Sequence, residues 1–392
     1  MARYDPWTAS TPAQPANRVA QSSTLRVWQK FDWALLGSVF LLVLLGILFI
    51  RSATLGAVDT DLQGRVQSQI VYAVLGFVVM FLVAAIDYRL LGALQHYIYG
   101  FLVFALALVA IAGQVGGAGA QRWLNVGIPI QPSEIGKMLI IIALGAHLAK
   151  HYEQLGSFRT VMASLMYIAL PMSLIFSQPN LGNTIAFGII WLTMIWGAGL
   201  RVRHIVVLAV VVLVLLPLLW SQMEAYQRSR ILTFINPEGD KDAQFNVDQS
   251  LISVGSGGFL GKGYANGSQT QGRFLRVRHT DFIFSVIAHE AGFVGGVSVL
   301  GLMALTLFRI TRAGLLARDP LGSLICYGVA SVIFFQTVTA VGMNLALLPV
   351  TGLTLPFVSS GGTSLFSLLF GIGLVESVNM RRKSAVAQEK PL

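Results

Sequence analysis

Ten apolar runs, most of them near the length that spans the hydrocarbon layer of a bilayer, recur along this chain of 392 residues. They lie at about 33–50, 69–86, 96–113, 134–149, 160–177, 183–200, 204–221, 282–308, 322–346 and 355–379. With 55% of residues hydrophobic and 11% charged, the chain is too apolar for a soluble domain. Inside lipid every backbone polar group must pair within the protein, so the runs predict helices. The expected fold class is an all-α polytopic membrane protein with about ten transmembrane helices.

Cationic side chains orient such spans, because short loops rich in Lys and Arg stay cytoplasmic. With ten alternating spans, Arg3, Arg18, Arg26, Lys30, Arg89, Lys150, Arg159, Arg201, Arg203, Arg309, Arg312, Arg318, Arg381, Arg382, Lys383 and Lys390 share one side. The short loops of the other side contribute Arg51, Arg65 and Arg122, with Lys137 inside the fourth span. Both termini are therefore expected in the cytoplasm. Residues 1–32 read as a polar tail too long and too polar for the start of a signal peptide, 33–380 as the transmembrane domain and 381–392 as a short cytoplasmic tail. The net charge of +10 is spread over span ends, where it meets anionic membrane lipids, so nucleic acid is not an expected partner. The single cysteine, Cys326, excludes an internal disulfide.

Residues 222–280, between spans 7 and 8, form a large extracytoplasmic loop with Arg228, Arg230, Lys262, Arg273, Arg276 and Arg278. Such a cationic surface beside a bilayer suits an anionic lipid-linked group. Its stretch ISVGSGGFLGKGYANGSQTQGRF (252–274) lets backbone N–H groups approach a ligand closely, or turn tightly. A P-loop is excluded because Gly263 rather than Ser or Thr follows Lys262, and a zincin because Phe293 stands where the second His would fall after His289 and Glu290.

Asp281 closes the basic segment RVRHTD, and two readings of it stay open. It caps the first turn of span 8, where orphan N–H groups favour a carboxylate. Alternatively it accepts a proton from a sugar hydroxyl while Arg276, Arg278 and His279 hold a phosphate. Glu134 and Lys137, three apart at the start of span 4, are spaced to pair. Glu290 must face protein or water, Glu376 is placed to pair with Arg381, and Trp123 suits an interfacial anchor. Pro349, Pro356 and the SSGG at 359–362 break the helical pattern before span 10 and suit a cavity lining.

Seven ordered motifs carry a resemblance: GAGAQRWLNVG (117–127), QPSEIGK (131–137), SQPNLGNT (177–184), YQRSR (226–230), QSLISVGSGGFLGKG (249–263), HTDFIF (279–284) and LPVTGLTLPFVSSGGTSL (348–365). Through them the chain resembles the SEDS family of shape, elongation, division and sporulation proteins. GKG at 261–263, Gln269 and AQRWL resemble its rod-shape branch more than its division branch. The resemblance implies the SEDS fold and a peptidoglycan glycosyltransferase that polymerises lipid II at the outer face of the bacterial cytoplasmic membrane, undecaprenyl pyrophosphate leaving. It implies that Asp281 is the essential acidic residue and that Arg122, Trp123, Glu134, Lys137, Gln249, Ser250, Lys262, Thr280 and Ser360 surround the substrate cavity. A divalent cation, Mg or Mn, could assist the pyrophosphate, although no ligand cluster demands one. Implied partners are a class B penicillin-binding protein with transpeptidase activity, sought on an apolar face of spans 8 and 9, and elongation scaffold proteins. Two departures stand out: Asn180 replaces a commonly acidic residue, and Arg276–Val277 replace a Pro–Glu pair. A lipid-linked precursor flippase, a non-catalytic scaffold that recruits a cell-wall synthase, and a division protein are the alternatives.

Overall fold

The computed structural model describes residues 28–55, 60–115, 121–125, 129–154, 157–200, 202–236, 241–272, 274–275 and 277–382. Ten helices coincide with the ten apolar runs: α1 Trp33–Thr54, α2 Arg65–Ala85, α3 Gln95–Ala112, α4 Pro132–Lys150, α5 Phe158–Ser177, α6 Leu181–Gly197 and α7 Val202–Gln222, followed, after α8 Ala225–Ile235 and α9 Lys241–Gly257, by α10 Ile283–Leu315, α11 Pro320–Asn344 and α12 Gly362–Met380. Among the described residues, eight of these are long and apolar enough to cross a membrane, which makes the protein a multi-pass membrane protein. Two of the ten runs fall outside that set. These are α6 and α7; at 17 residues α6 extends about 25 Å, short of the roughly 30 Å hydrocarbon layer.

Helix starts follow local chemistry. The Asp32 carboxylate accepts the N–H groups of Ala34 and Leu35, both at 3.1 Å, and opens α1. Asp319 caps α11 through Gly322 with Pro320 in the first turn, and Asn180 caps α6 through Asn183. The most enclosed helices are α12 and α4, whose apolar windows are 89% and 78% buried; those of α3, α5 and α10 are under a third buried and form the periphery.

The helical fold class holds, with one addition and one correction. β1 Gln114–Val115, β2 Gln121–Asn125 and β3 Pro129–Ile130 form a small antiparallel sheet in the order β1-β2-β3, with Gln114 opposite Trp123 and Leu124 opposite Ile130. Strands of two residues leave no periodicity to read. The last helix begins at Gly362 rather than at 355, because 345–361 folds back as irregular chain through Pro349, Pro356 and the left-handed Gly352.

Described residues of the connecting segments meet at one end of the bundle, where Arg122 donates to the Pro179 carbonyl, Arg230 to that of Val350, Gln271 to that of Ser52, and the Ser360 N–H to that of His279. At the other, Lys30 Nζ donates to the Arg382 carbonyl (3.1 Å) and Asn379 Nδ2 to that of Lys30 (3.2 Å), so both ends of the described chain meet there. Asp32 pairs with Arg309 (2.6 Å), Asp319 with Arg89 (2.7 Å) and Asp87 with Arg381 (3.4 Å). Glu376 does not pair with Arg381; it accepts the Asp32 N–H at 3.1 Å.

The longest helix, α10, breaks at Gly292 (φ 67°), about 14 Å along the helix from Ile283. The hairpin that follows α9 enters the break. Lys262 N–H and Gly263 N–H donate to the carbonyls of His289 and Glu290, both at 3.0 Å, while Phe293 and Val294 donate to Gly258 (2.9 Å) and Phe259 (3.2 Å). Non-helical backbone at membrane depth is thereby paired within the protein. A Cβ on Gly261 would lie 2.2 Å from the Glu290 carbonyl, and one on Gly292 would lie 2.3 Å from the Gly261 nitrogen. The glycine-rich stretch therefore serves backbone-to-backbone docking rather than ligand approach. Glu290 is a packing partner: it accepts the Ser52 hydroxyl (2.6 Å) and the Ala265 N–H (3.1 Å).

Candidate active site

Asp281 lies in the turn 277–282 that leads into α10, at the end where the connecting segments meet. The N-cap position belongs to Phe282, which offers no capping side chain, so the capping reading of Asp281 does not hold. Its main chain is tied at every step. The His279 carbonyl accepts the Ser360 N–H (3.0 Å), the Thr280 carbonyl the Ser359 hydroxyl (2.8 Å), and the Asp281 carbonyl the Asn344 amide (2.8 Å). A turn anchored on three carbonyls has little freedom, and it turns the carboxylate into a cavity of about 270 Å³.

Besides the turn that carries Thr280 and Asp281, distant parts of the fold build that cavity. Arg65 and Tyr72 come from the start of α2, Arg122 and Trp123 from β2, Glu134 from α4, Asn180 and Asn183 from the start of α6, and Gly352, Thr354 and Ser360 to Ser364 from the irregular segment and the start of α12. The small sheet exists to good purpose here, since it carries Arg122 inward, where the guanidinium donates to the Pro179 carbonyl of the α5–α6 turn.

Beneath the cavity lies an ion pair. Lys137 Nζ donates to Glu134 Oε2 (2.9 Å) and to Asn183 Oδ1 (3.2 Å), and Asn183 returns a bond to Glu134 Oε1 (3.0 Å). Lys137 is 1% exposed, so it supports Glu134 from behind rather than lining the cavity. Removing one partner of such a buried pair typically costs about 3–5 kcal/mol, because the other charge is left stranded.

The cation beside Asp281 is Arg230, from α8. Its guanidinium donates to the Val350 carbonyl (3.0 Å), and a Cβ on Gly352 would stand 3.2 Å from it and 4.0 Å from the Asp281 carboxylate. The left-handed φ of 73° and this close approach both call for glycine at 352. Burial pushes the Asp281 carboxyl above the usual carboxylate range, opposed by the Arg230 charge and the Thr280 hydroxyl. A carboxyl with raised proton affinity takes a proton more readily than a free one, which suits a general base.

The cavity thus brings together Arg122, Trp123, Glu134, Thr280, Asp281 and Ser360 from the expected set. The others stand elsewhere for physical reasons. Ser250 and Gln249 sit on α9, where the Ser250 hydroxyl is buried against Ser285 and the Asn344 carbonyl. Lys262 belongs to the hairpin in the α10 break and carries an exposed side chain. Arg278 is buried and turned away, donating to the carbonyls of Ala53 and Leu275. Arg276 lies outside the described residues. Arg230, Arg65, Tyr72, Asn183 and Gly352 were missed. Arg230 had a signal in YQRSR, but nothing in that string separates it from Arg228, which donates to the Ser221 carbonyl (2.7 Å). Asn180 keeps the α6 cap, its Oδ1 accepting the Asn183 N–H.

The residues present do not fit a protein-held divalent ion. Among the described residues no three of His, Cys, Asp and Glu come together, and Glu134 is committed to Lys137 and Asn183. A wider groove of about 770 Å³, lined by His147, His151, Glu153 and Arg159, opens at the opposite end of α4, away from every cavity residue.

Residues 32–384 match the model of the FTSW_RODA_SPOVE cell cycle protein family. The chain belongs to this family. It is 34% identical over 359 residues to the peptidoglycan glycosyltransferase MrdB of Escherichia coli K12, covering 91% of this chain and 96% of that one. It is 31% identical over 427 residues to the peptidoglycan glycosyltransferase RodA of Treponema pallidum, with coverages of 90% and 98%. Among solved structures, the Thermus thermophilus rod shape determining protein RodA superposes with a TM-score of 0.66 at 31% identity, over 91% of this chain and 99% of that one. A chain of a peptidoglycan synthase complex, described for its coordination of polymerization and crosslinking, superposes with a TM-score of 0.77 at 30% identity, over 90% and 98%. The SEDS expectation is met across nearly the whole chain.

Proposed function

We propose that this family member is a peptidoglycan glycosyltransferase that polymerises lipid II, with Asp281 as the general base. The observation that carries the reading is the cavity: a carboxylate with raised proton affinity faces the same space as Arg65 and Arg122, with Arg230 at its side. The 4-hydroxyl of the acceptor sugar gives its proton to Asp281 as its oxygen attacks the anomeric carbon of the lipid-linked donor. The bond from that carbon to the pyrophosphate oxygen breaks, its electron pair leaves with undecaprenyl pyrophosphate, and the configuration inverts. Arginines pre-placed around the departing pyrophosphate stabilise charge that develops only in the transition state. The support of Glu134 by Lys137 keeps the cavity floor fixed while bulky substrates pass.

The cavity end faces the outside of the bacterial cytoplasmic membrane in this reading, and both termini are cytoplasmic. Supporting that orientation, Lys150, Arg309, Arg312, Arg318, Arg381 and Arg382 lie at the end where Lys30 meets Asn379 and Arg382. A class B penicillin-binding protein is the proposed partner, supported by the synthase complex among the structural neighbours, with elongation scaffold proteins around the pair and elongation rather than division as the role. The test is the purified protein with labelled lipid II: glycan polymer is expected. Passage of lipid II across vesicles without polymer would instead make it a transporter, and neither result in the presence of the partner would make it a scaffold.

A further inference from the structure

A buried polar knot lies behind Asp281, and no step of the reaction uses it. Asn344, the last residue of α11, is 0% exposed, as are Ser250 on α9 and Ser285 in the first turn of α10. The Asn344 amide Nδ2 donates to the Asp281 carbonyl (2.8 Å) and to the Ala340 carbonyl (2.7 Å). Its Oδ1 accepts the Ser285 N–H at 3.0 Å and lies 2.6 Å from the Ser285 hydroxyl. That hydroxyl is in turn 2.5 Å from the Ser250 hydroxyl, which donates to the Asn344 carbonyl at 2.7 Å.

The arrangement uses both donors and both acceptor sites of one side chain, which only an asparagine of this reach supplies. One group of Asn344 holds the peptide after Asp281, and the other caps an orphan N–H of the helix that Asp281 precedes. The knot also joins the extramembrane helix α9 to α10 and α11. A base displaced by about 1 Å can lose on the order of 100-fold in rate, so whatever fixes this peptide also sets the rate.

We propose that Asn344, locked by Ser250 and Ser285, is a positioning residue that aims the Asp281 carboxylate at the acceptor hydroxyl. The inference rests on Asp281 being the base. It assigns Ser250 to catalytic geometry rather than to substrate contact, and it makes α9 part of the active-site frame.

The experiment measures kcat and KM for lipid II polymerisation by full-length Asn344→Ala, Ser250→Ala and Asp281→Asn in detergent. Asn344→Ala is expected to lower kcat by about tenfold or more while KM stays within about twofold, since the displaced group acts in the transition state and not in binding. Ser250→Ala, which loses one hydroxyl, is expected to lower kcat by a smaller factor, also at constant KM. A kcat for Asn344→Ala within about twofold of wild type, or a loss carried mainly by KM, overturns the inference. Should Asn344→Ala fail to fold, Ser250→Ala decides, and an unchanged kcat overturns it. Asp281→Asn separates the two claims. If it keeps wild-type kcat, the base assignment itself has failed, whereas an inactive Asp281→Asn beside a fully active Asn344→Ala sinks the positioning role alone.

Discussion

At the residue scale the account turns on how one carboxylate holds its proton. Burial raises the Asp281 carboxyl above its ordinary value of 3.8, and Arg230 limits the rise. Asp281 must be ionised to act, so kcat/KM climbs with pH through the raised midpoint, and a pH–rate profile should place the acid limb above the free carboxylate range. Arg230→Gln removes the opposing charge and should move that limb to higher pH. The same shift has a sign for stability. A carboxyl whose folded pKa is raised contributes stability that is complete below the unfolded value and lost as pH rises through the folded one. Asp281→Asn should therefore melt at a higher temperature than wild type at neutral pH, and a lower melting temperature would count against the burial argument. Glu134 and Lys137 are bound by a different rule. Lys137→Ala strands a buried carboxylate and should cost about 3–5 kcal/mol, and adding Glu134→Gln should recover part of it in a denaturation assay.

At the element scale, what could be read in advance was what depends on length and periodicity. Ten apolar runs gave ten helices, with the start of α12 and the end of α10 each displaced by seven residues, because burial of a continuous stretch writes itself into composition more firmly than its boundaries do. The irregular segment after Asn344 was legible too, since Pro349 and Pro356 cannot continue a helix. The two-residue strands that flank β2 were not, because two residues are too few to show an alternation. The glycines of 255–263 were legible as places of close approach, but not as to what approaches: they meet the backbone of a broken α10. Ser250 and Asp281 look alike as polar residues near a motif, and only the fold separates a hydroxyl locked in a knot from a carboxylate facing a cavity. A prediction follows for the break. Gly292→Ala forces a Cβ onto the Gly261 nitrogen at a φ that L side chains resist, and should destabilise by about 1–3 kcal/mol as judged by thermal unfolding. Gly301, whose added Cβ meets nothing within 4 Å, should tolerate alanine.

At the scale of the whole molecule, helix direction alternates so that the cavity residues fall at one end and both ends of the described chain at the other. Cys326 is buried, so new thiols can be probed against a quiet background. An impermeant maleimide added to intact cells should label Ser268→Cys, in the exposed loop, and spare Ser157→Cys, at the opposite end. The reverse pattern would turn the orientation over, and with it the outer-face reaction. The centre of the account is still the carboxylate, and the most direct test is the polymerisation rate of Asp281→Asn with lipid II, read beside its lipid II affinity. The account predicts a fall in kcat of about 10²–10⁴-fold, the range a positioned base supplies, with affinity unchanged. An Asp281→Asn enzyme that polymerises within tenfold of wild type would contradict it.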